Sequence, residues 1–248
     1  KWTEATGLVR LGTFGTNGVT DATSVSGDGK IIVGNTYANL NSYTDSDPFL
    51  YTDGAGFSSL SGCGCHGSRT KITISDDGTT VVGSGANGNA FAYRWTAQTG
   101  PVSLGDFPGG NNFSQALDVT PDGRVVVGGG NPPGPLQGFR WTEDNDMESL
   151  GSLMYTAYAI SADGSAIAGV GFNGQQGAVR WTEQEGAVWL GNLPSLQGKP
   201  AGFAADISAD GSVIVGGSGG DYRFQAFRWT AASGMLRVKA ILEDLGVD

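Results

Sequence analysis

The residues most informative about the fold read ALDVTPDGRVVVG at residues 116–128, and GFRWT follows at residues 138–142. Asp122-Gly123 separates two runs of strand-forming residues, and an Asp-Gly pair in that position is a strong signal for a tight β-hairpin turn. Residues 125–127 are all valine, as in a strand that is buried on both faces. The stretch therefore predicts a β-hairpin, which we name the A–B hairpin.

The same hairpin pattern occurs five times along the chain. Every copy has a Ser or Thr two residues before its Asp and a Gly six residues after it. The five pairs are Asp28-Gly29, Asp77-Gly78, Asp122-Gly123, Asp163-Gly164 and Asp210-Gly211, and the later glycines are Gly34, Gly83, Gly128, Gly169 and Gly216. Asp and Ser side chains hydrogen-bond to their own turn backbone, so turn chemistry explains the recurrence without a metal ligand.

A second motif, an aromatic residue followed by Thr, occurs six times, and an aliphatic residue stands nine positions after each aromatic. The six pairs are Trp2-Thr3, Tyr51-Thr52, Trp95-Thr96, Trp141-Thr142, Trp181-Thr182 and Trp229-Thr230. The motif predicts a second hairpin, C–D, with a Gly five residues after the aromatic in every copy but one, where Asp146 stands. A basic residue precedes five of the pairs, and its recurrence in register predicts a structural contact to a neighbouring repeat. These basic residues are Lys1, Arg94, Arg140, Arg180 and Arg228.

Two hairpins per unit, with a period of 40 to 49 residues, are the repeat of a four-stranded antiparallel β-propeller blade. No segment carries the 3.6-residue periodicity of a helical solenoid. We therefore predict an all-β protein that forms a single β-propeller domain over residues 1–248. Its five full repeats start near residues 2, 51, 95, 141 and 181, and a terminal outer hairpin covers residues 229–242.

Six C–D hairpins accompany five A–B hairpins, so the motifs leave two blade counts open. We favour six blades, with the missing A–B strands supplied from beyond Asp248 or by another molecule, because residues 236–248 resemble a connection into a further repeat. A five-bladed ring, which leaves one hairpin over, is the alternative. In a third arrangement the spare hairpin completes a neighbouring subunit and produces a filament.

The combination of Phe139-Arg140-Trp141-Thr142, Leu150-Gly151 and the run from Ala204 to Gly216 resembles the HAF family of bacterial extracellular repeats. The resemblance covers essentially the whole chain, and the second repeat departs from it most, with Tyr51, Ser61 and Lys71 in place of Trp, Gly and Ala. It implies a propeller-like protein that is secreted by a bacterium or exposed on its surface. It brings no catalytic motif onto these positions.

The composition excludes two classes of partner. The formal net charge of −10 argues against a nucleic-acid backbone, whose binding needs clustered Lys and Arg. No segment approaches 18 uninterrupted apolar residues, so we expect no membrane-spanning helix.

In a propeller the A–B and C–D turns lie on one rim, and the B–C and D–A connections lie on the opposite rim, which we name the loop face. These connections vary in length and composition, so we expect binding residues there. The candidates for contact with a glycan, a protein or another copy are Tyr43, Asp45, Asp47, Asn111, Asn112, Phe113, Trp189, Asp221, Tyr222 and Arg223. Aromatic faces with amide donors suit sugar rings or another protein.

Two short loop segments could bind a metal ion. Asp45 and Asp47 carry oxygen ligands of the kind that Ca²⁺ prefers, but the full calcium-loop pattern is absent, so the sequence favours a solvated loop tip over a calcium site. Cys63, Cys65 and His66 form the one local cluster of soft ligands, without the two-residue spacer of a zinc or haem motif. The sequence favours a Gly-rich surface loop with a small disulfide there, and a two-thiol metal site completed by another chain is the alternative. Calcium is the one cofactor considered.

Asp118 and Asp206 occupy equivalent positions in their predicted A strands and are the catalytic candidates, because paired carboxylates act as acid and base in glycoside hydrolysis. A contact with the recurring Arg residues is the structural alternative. The sequence carries no Ser-His-Asp set or phosphate loop. It favours a non-enzymatic, secreted β-propeller that binds or assembles through its loop face. The alternatives are a polysaccharide lyase or glycoside hydrolase, and a subunit of an extracellular filament.

Overall fold

A computed structural model describes residues 1–14, 19–37, 46–60, 71–85, 91–194, 200–220 and 223–247. In these ranges the chain forms five four-stranded antiparallel sheets and one two-stranded sheet. Strand order within every four-stranded sheet equals chain order, so each sheet is a meander. This arrangement confirms the predicted all-β architecture of propeller blades.

The two-stranded sheet, which we name the N-terminal hairpin, consists of β1 (Trp2–Thr3) and β2 (Gly7–Leu8). Sheet 1 contains β3 (Val19–Val25), β4 (Ile31–Tyr37), β5 (Ser46–Thr52) and β6 (Gly56–Ser59). Sheet 2 contains β7 (Thr73–Ile74), β8 (Thr80–Ser84), β9 (Ala92–Thr96) and β10 (Gly100–Ser103). Sheet 3 contains β11 (Ser114–Val119), β12 (Val126–Gly130), β13 (Gln137–Thr142) and β14 (Asp146–Ser149). Sheet 4 contains β15 (Met154–Ile160), β16 (Ala166–Phe172), β17 (Gln176–Thr182) and β18 (Gly186–Gly191). Sheet 5 contains β19 (Ala201–Ile207), β20 (Val213–Gly220), β21 (Arg223–Thr230) and β22 (Gly234–Arg237), and α1 (Val238–Asp244) follows it.

Every four-stranded sheet joins an A–B hairpin to the C–D hairpin that comes next in the chain, so the sheets are half a repeat out of phase with repeats counted from residue 2. The expected terminal outer hairpin at residues 229–242 differs from the structure. Trp229 pairs with Ile214 of β20, which completes sheet 5, and residues 238–244 are helical. Within the described ranges, the hairpin that lacks A–B strands is the N-terminal one. Six blade positions are thus occupied, five by complete sheets and the sixth by an outer hairpin alone.

The single helix of the described residues, α1, is seven residues long. In the part of the chain that the structure describes, no helix has the length and apolar character needed to cross a membrane.

Each A–B turn is stabilised by its own hydroxyl and carboxylate. In sheet 3 the Thr120 hydroxyl donates to the Asp122 carboxylate at 2.7 Å and accepts from the Val125 amide at 3.0 Å. Gly123 has a φ of 70°, a conformation that costs glycine little. In sheet 5, hydrogen bonds from the Ser208 hydroxyl and from Ser212 lower the pKa of Asp210 to about 2. These bonds account for the recurring Ser/Thr-x-Asp-Gly pattern.

The first strand of four sheets carries a β-bulge at the same position. In sheet 3 the pairing shifts by one residue between Ala116 and Asp118, so Leu117 has no partner in β12. The corresponding bulge residues of sheets 1, 4 and 5 are Thr23, Tyr158 and Ala205. The bulge brings the Gln115 carbonyl oxygen against Gly128, where a Cβ atom would overlap it. This close approach explains the Gly six residues after the turn Asp in these four sheets, whereas in sheet 2 a Cβ atom at Gly83 would meet the Tyr93 side chain.

Among the described residues the hydrophobic core forms four clusters, and each cluster lies between two successive sheets. Between sheets 2 and 3, for example, Val82 and Leu104 of one sheet pack with Val119 and Phe139 of the next. Because each cluster is completed by two neighbours, the sheets stabilise one another in the manner of a repeat protein.

Three of the recurring basic residues contact the next sheet. The Lys1 ammonium forms an ion pair with Asp53 of sheet 1, and Arg94 Nε donates to the Gly123 carbonyl oxygen of sheet 3 at 3.1 Å. The Arg180 guanidinium lies 6.0 Å from the ring centroid of Trp229 in sheet 5. The predicted structural role of these residues is confirmed for these three.

Asp146 occupies the C–D turn position where the other five copies have Gly, and it adopts a φ of 52°. Replacing Asp146 by Gly is expected to raise the free energy of unfolding by about 1 kcal/mol, because the left-handed conformation is costly for an L-residue. Denaturant unfolding monitored by circular dichroism measures the change. Asp144→Gly in the same turn, where φ is not positive, is the control and should not stabilise. Equal destabilisation by both variants would contradict this account of the turn.

Candidate functional site: the channel mouth

Residues from four sheets converge on one cavity of about 280 Å³. Its walls are Lys71, Leu117, Tyr158, Gln176, Phe203 and Ala205, which we name the channel mouth. Leu117, Tyr158 and Ala205 are the bulge residues of β11, β15 and β19. Because first strands of successive sheets all contribute, these strands are the innermost ones, and the cavity lies on the axis around which the sheets are arranged.

The channel mouth lies at the loop face. Gln176 is the first residue of β17, directly after a B–C connection, and Phe203 is the third residue of β19, after a D–A connection. The Phe203 ring contacts Tyr158 at a centroid distance of 6.3 Å and Phe224 at 5.6 Å, both edge to face. This geometry is favourable for aromatic pairs. An apolar strip therefore extends from the axis to the start of β21.

Asp118 follows the bulge residue of β11, and its carboxylate reaches the next sheet. Its Oδ2 accepts a hydrogen bond from the Ile160 amide at 3.0 Å. Burial raises the pKa of Asp118, and the charge of Asp206 acts in the same direction, while Lys71 and the Ile160 amide partly oppose the rise. The expected contact with a recurring Arg is not what the structure shows, because the bulge directs this carboxylate toward the backbone of β15.

Asp206 occupies the equivalent position in sheet 5 but is exposed. Its Oδ1 accepts a hydrogen bond from the amide of the following residue, Ile207, at 2.8 Å. Asp118 and Asp206 interact electrostatically with each other, and Lys71 interacts with Asp118. The charges of Asp206 and Lys71 thus both act on Asp118, although neither carboxylate is among the walls of the channel mouth.

Three candidate loop residues lie together at the rim of sheet 3. Asn111 and Asn112 are exposed, and Asn112 has a positive φ of 52°. The Asn111 amide donates to the Asn131 carbonyl oxygen at 3.2 Å, and the Asn131 amide donates to the Phe113 carbonyl oxygen at 3.1 Å. Neither Asn111, Asn112 nor Phe113 belongs to the channel mouth.

The other candidates have separate locations. Trp189 lies in β18 opposite Val179, where it packs on Gly177 within the cluster between sheets 3 and 4. Asp47 lies in β5 opposite Thr36, and Arg223 is the first residue of β21. The remaining candidates, which lie outside the described residues, are Tyr43, Asp45, Asp221, Tyr222, Cys63, Cys65 and His66. In the described ranges no three His, Cys, Asp or Glu side chains are grouped as metal ligands, and the calcium and thiol sites stay predictions.

Sequence reasoning did not select Lys71, Tyr158 or Gln176 as site residues. Lys71 carried one signal, since it replaces the Ala found at this position in the other four A strands. Tyr158 carried none, because a regular two-residue alternation does not reveal which strand position a bulge turns toward the axis.

A larger cleft of about 580 Å³ lies near the turns between sheets 2 and 3, and Arg94, Arg124 and Arg140 are among its lining residues. Arg124 lies 3.7 Å from Asp122, and Arg140 lies 3.9 Å from Glu148. Arg94 is hydrogen-bonded to the next sheet, as described above. Because the three arginines are already paired with the protein's own groups, we assign this cleft a structural role.

Solved β-propellers share this fold. The crystal structure of TolB from Acinetobacter baumannii matches with a TM-score of 0.60 and 17% identity, over 88% of this chain and 53% of that chain. The structure of putative TolB from Agrobacterium tumefaciens matches with a TM-score of 0.60 and 16% identity, over 90% of this chain and 81% of that chain. The β-propeller domain of the Trilobed protease from Pyrococcus furiosus, whose structure reveals an open velcro topology, matches with a TM-score of 0.56 and 12% identity, over 90% and 71%. At such identities the likeness shows the fold alone.

The chain thus spans about half the length of the Acinetobacter protein. No protein-family model and no curated protein matches it, and the resemblance to HAF repeats stays a prediction.

Titration of the Asp118 carboxyl, followed by ¹³C NMR, tests the electrostatics of the channel mouth. Its pKa should lie above the ordinary Asp value, should rise further in Lys71→Ala and should fall in Asp206→Asn. Because the folded protein then binds the proton more tightly than the unfolded chain, the contribution of Asp118 to stability decreases as pH rises from the ordinary Asp value through the raised pKa. An Asp118 pKa at or below the ordinary value would contradict this account, in which burial outweighs Lys71 and the Ile160 amide.

Proposed function

We propose that this β-propeller is a non-enzymatic binding module that holds a segment of a partner protein at its channel mouth. The observation that carries the proposal is the convergence of Lys71, Tyr158, Gln176 and Phe203, from three sheets, on one open cavity beside Asp118. A concave site with apolar walls and a few convergent polar groups is the usual form of a binding site.

The chemistry of the channel mouth favours a polypeptide segment. A cavity of about 280 Å³ accommodates a side chain rather than a large cofactor. Lys71 offers a cation, and the Gln176 amide is both donor and acceptor. Such a mixture matches the backbone amides and carbonyls of an extended segment, with Tyr158 and Phe203 contacting its side chains.

The resemblance to HAF repeats supports a location on the outside of a bacterial cell or in its surroundings. The rim at Asn111, Asn112 and Phe113 lies on the same loop face and provides additional contact area for the partner. Glycan binding and self-association through this face are the outcomes against which the proposal is tested.

Immobilised protein probed with a displayed peptide library and a glycan array distinguishes the partner classes. We expect enrichment of peptides, and at least tenfold weaker binding of the enriched peptide by Lys71→Ala and by Phe203→Ala, since each removes a wall of the cavity. Matched controls are Lys239→Ala in α1 and Val102→Ala in β10, because both side chains are exposed and neither lines the channel mouth.

Selective retention of glycans, or peptide binding that the two channel-mouth variants leave unchanged, would count against this function. Thermal unfolding of each variant separates lost binding from lost folding.

A carbohydrate-active enzyme is the second candidate, and the raised pKa of Asp118 favours it. A carboxyl whose pKa is raised by burial is suited to protonating a leaving-group oxygen, while the exposed carboxylate of Asp206 can activate water. Incubation with a polysaccharide panel tests this function. Turnover that both Asp118→Asn and Asp206→Asn abolish, but the turn variant Asp163→Asn retains, would establish it. Turnover that survives in both variants would eliminate this pair of carboxylates.

A further inference from the structure

The polar walls of the channel mouth are all hydrogen-bond donors. They are the Lys71 ammonium, the Tyr158 hydroxyl and the Gln176 amide. No carboxylate is among the described residues that line the cavity. The remaining walls are apolar side chains, namely Leu117, Phe203 and Ala205. The cavity therefore presents donors and one positive charge to its occupant, next to an apolar surface.

These donors have no partner of their own in the part of the chain that the structure describes. Each of the other described lysines forms an ion pair with a carboxylate, and these are Lys1, Lys30 and Lys239. Within the same ranges Lys71 has no ion pair, and the Tyr158 hydroxyl has no hydrogen bond. Gln176 accepts a hydrogen bond from Asn192 at 2.9 Å, but through its backbone carbonyl oxygen. Three unused donors in one cavity are complementary to a group rich in acceptors.

The positive charge of Lys71 is particular to this repeat. The residue at its position in the other A strands is Ala, and three of these alanines are fully buried, Ala116, Ala157 and Ala204. Lys71 is exposed instead. Packing between sheets therefore does not explain the lysine, whereas a ligand with a negative charge does, in a chain whose own net charge is −10.

Two carboxylates act on the electrostatics of the channel mouth without lining it. Asp118 is buried and already accepts a hydrogen bond from the Ile160 amide at 3.0 Å. Asp206 is exposed and directly follows the wall residue Ala205 in β19. Because Asp206 repels an anionic ligand and Lys71 attracts it, the sign of each residue's effect on binding identifies the charge of the ligand.

The small size of the cavity restricts the form of this anion. Donors and apolar walls share about 280 Å³, so a single residue of the ligand has to supply both a negative charge and an apolar side chain. The last residue of a polypeptide does so, because its α-carboxylate and its side chain are attached to the same Cα atom. A residue inside a chain offers a neutral carbonyl, and an Asp or Glu side chain carries its charge at the tip that the apolar walls would contact.

We propose that the channel mouth binds the C-terminal residue of the partner segment, with the α-carboxylate at Lys71, Tyr158 and Gln176. The inference rests on the proposed function and adds the chemistry that the site recognises. Hydrogen bonds from these donors to a carboxylate are charge-assisted, and capture of a chain end is a known mode of peptide recognition. An aromatic last side chain packs on Phe203, whose ring already has Tyr158 and Phe224 as edge-to-face neighbours.

Fluorescence polarisation with the intact protein tests the inference. The probe is the peptide Gly-Ser-Gly-Ser-Phe, labelled with fluorescein at its amino end and carrying a free carboxyl end. We expect saturable binding with one peptide per protein. The same peptide with a C-terminal amide should bind at least tenfold more weakly, because the amide has no charge for Lys71. A peptide that ends in Ser instead of Phe should also bind more weakly, because it leaves the apolar walls uncovered.

Variants of the protein connect this effect to particular residues. Lys71→Met should weaken binding of the free-acid peptide at least tenfold and leave binding of the amide unchanged, because only the acid interacts with the ammonium. Asp206→Asn should strengthen binding of the free acid alone, since it removes a like charge. Lys239→Ala replaces another exposed lysine and should change neither affinity. Thermal unfolding of each variant separates lost binding from lost folding.

Equal affinities for the acid and the amide, or no saturable binding of the acid, would overturn the inference. Stronger binding by Lys71→Met together with weaker binding by Asp206→Asn would do the same, because the ligand would then be a cation. N-acetylphenylalanine that competes at the concentration at which the unlabelled peptide competes would assign the site to a small carboxylate instead of a chain end. Library peptides that need Phe203 but not a free carboxyl end would leave the proposed function standing and reject this inference alone.

Discussion

The packing of each innermost strand against the next sheet is the contact on which the rest of this structure depends. All four hydrophobic clusters lie between sheets. A single sheet therefore cannot bury its own apolar face, and stability arises from neighbour contacts. The β-bulge is part of the same contact, since it places the carbonyl oxygen of residues such as Gln115 where only a glycine, Gly128, leaves room. Turn carboxylates such as Asp122 then stabilise each A–B hairpin, and recurring basic residues such as Arg94 bond to the next sheet.

Within one strand, the bulge distinguishes residues that pack between sheets from the residue that can contribute to a site. Residues before and after it, such as Ala116 and Val119, are buried between sheets. The bulge residue is different in every sheet where the bulge occurs, and in sheets 3, 4 and 5 it lines the channel mouth, as Leu117, Tyr158 and Ala205 show. Side chains at the channel mouth can therefore change without disturbing the clusters that stabilise the fold. The residues of the site can thus vary while the residues that pack the sheets together stay the same.

Packing between neighbouring sheets is incomplete at the sixth blade position. Four junctions between complete sheets are filled on both sides, and the junction at this position exposes Val25 and Val215, which are equivalent to buried residues elsewhere. Counting hairpins in the sequence predicted that one A–B pair is missing. It placed the spare hairpin at residues 229–242, whereas the structure has it at β1 and β2, because residues 223–237 complete sheet 5.

Hairpins, turns and the all-β class could be derived from the residues alone, since each rests on local chemistry such as the hydrogen bonds of Asp122 or the positive φ of Gly123. The same holds for the structural role of Arg94 and Arg180, which recur in register. The channel mouth could not be derived. It combines Lys71, Tyr158 and Phe203 from three sheets, and the direction of Tyr158 depends on a bulge that only pairing with β16 reveals. Sequence motifs report contacts between residues close in the chain, whereas a site on the axis is created by closing the sheets around it.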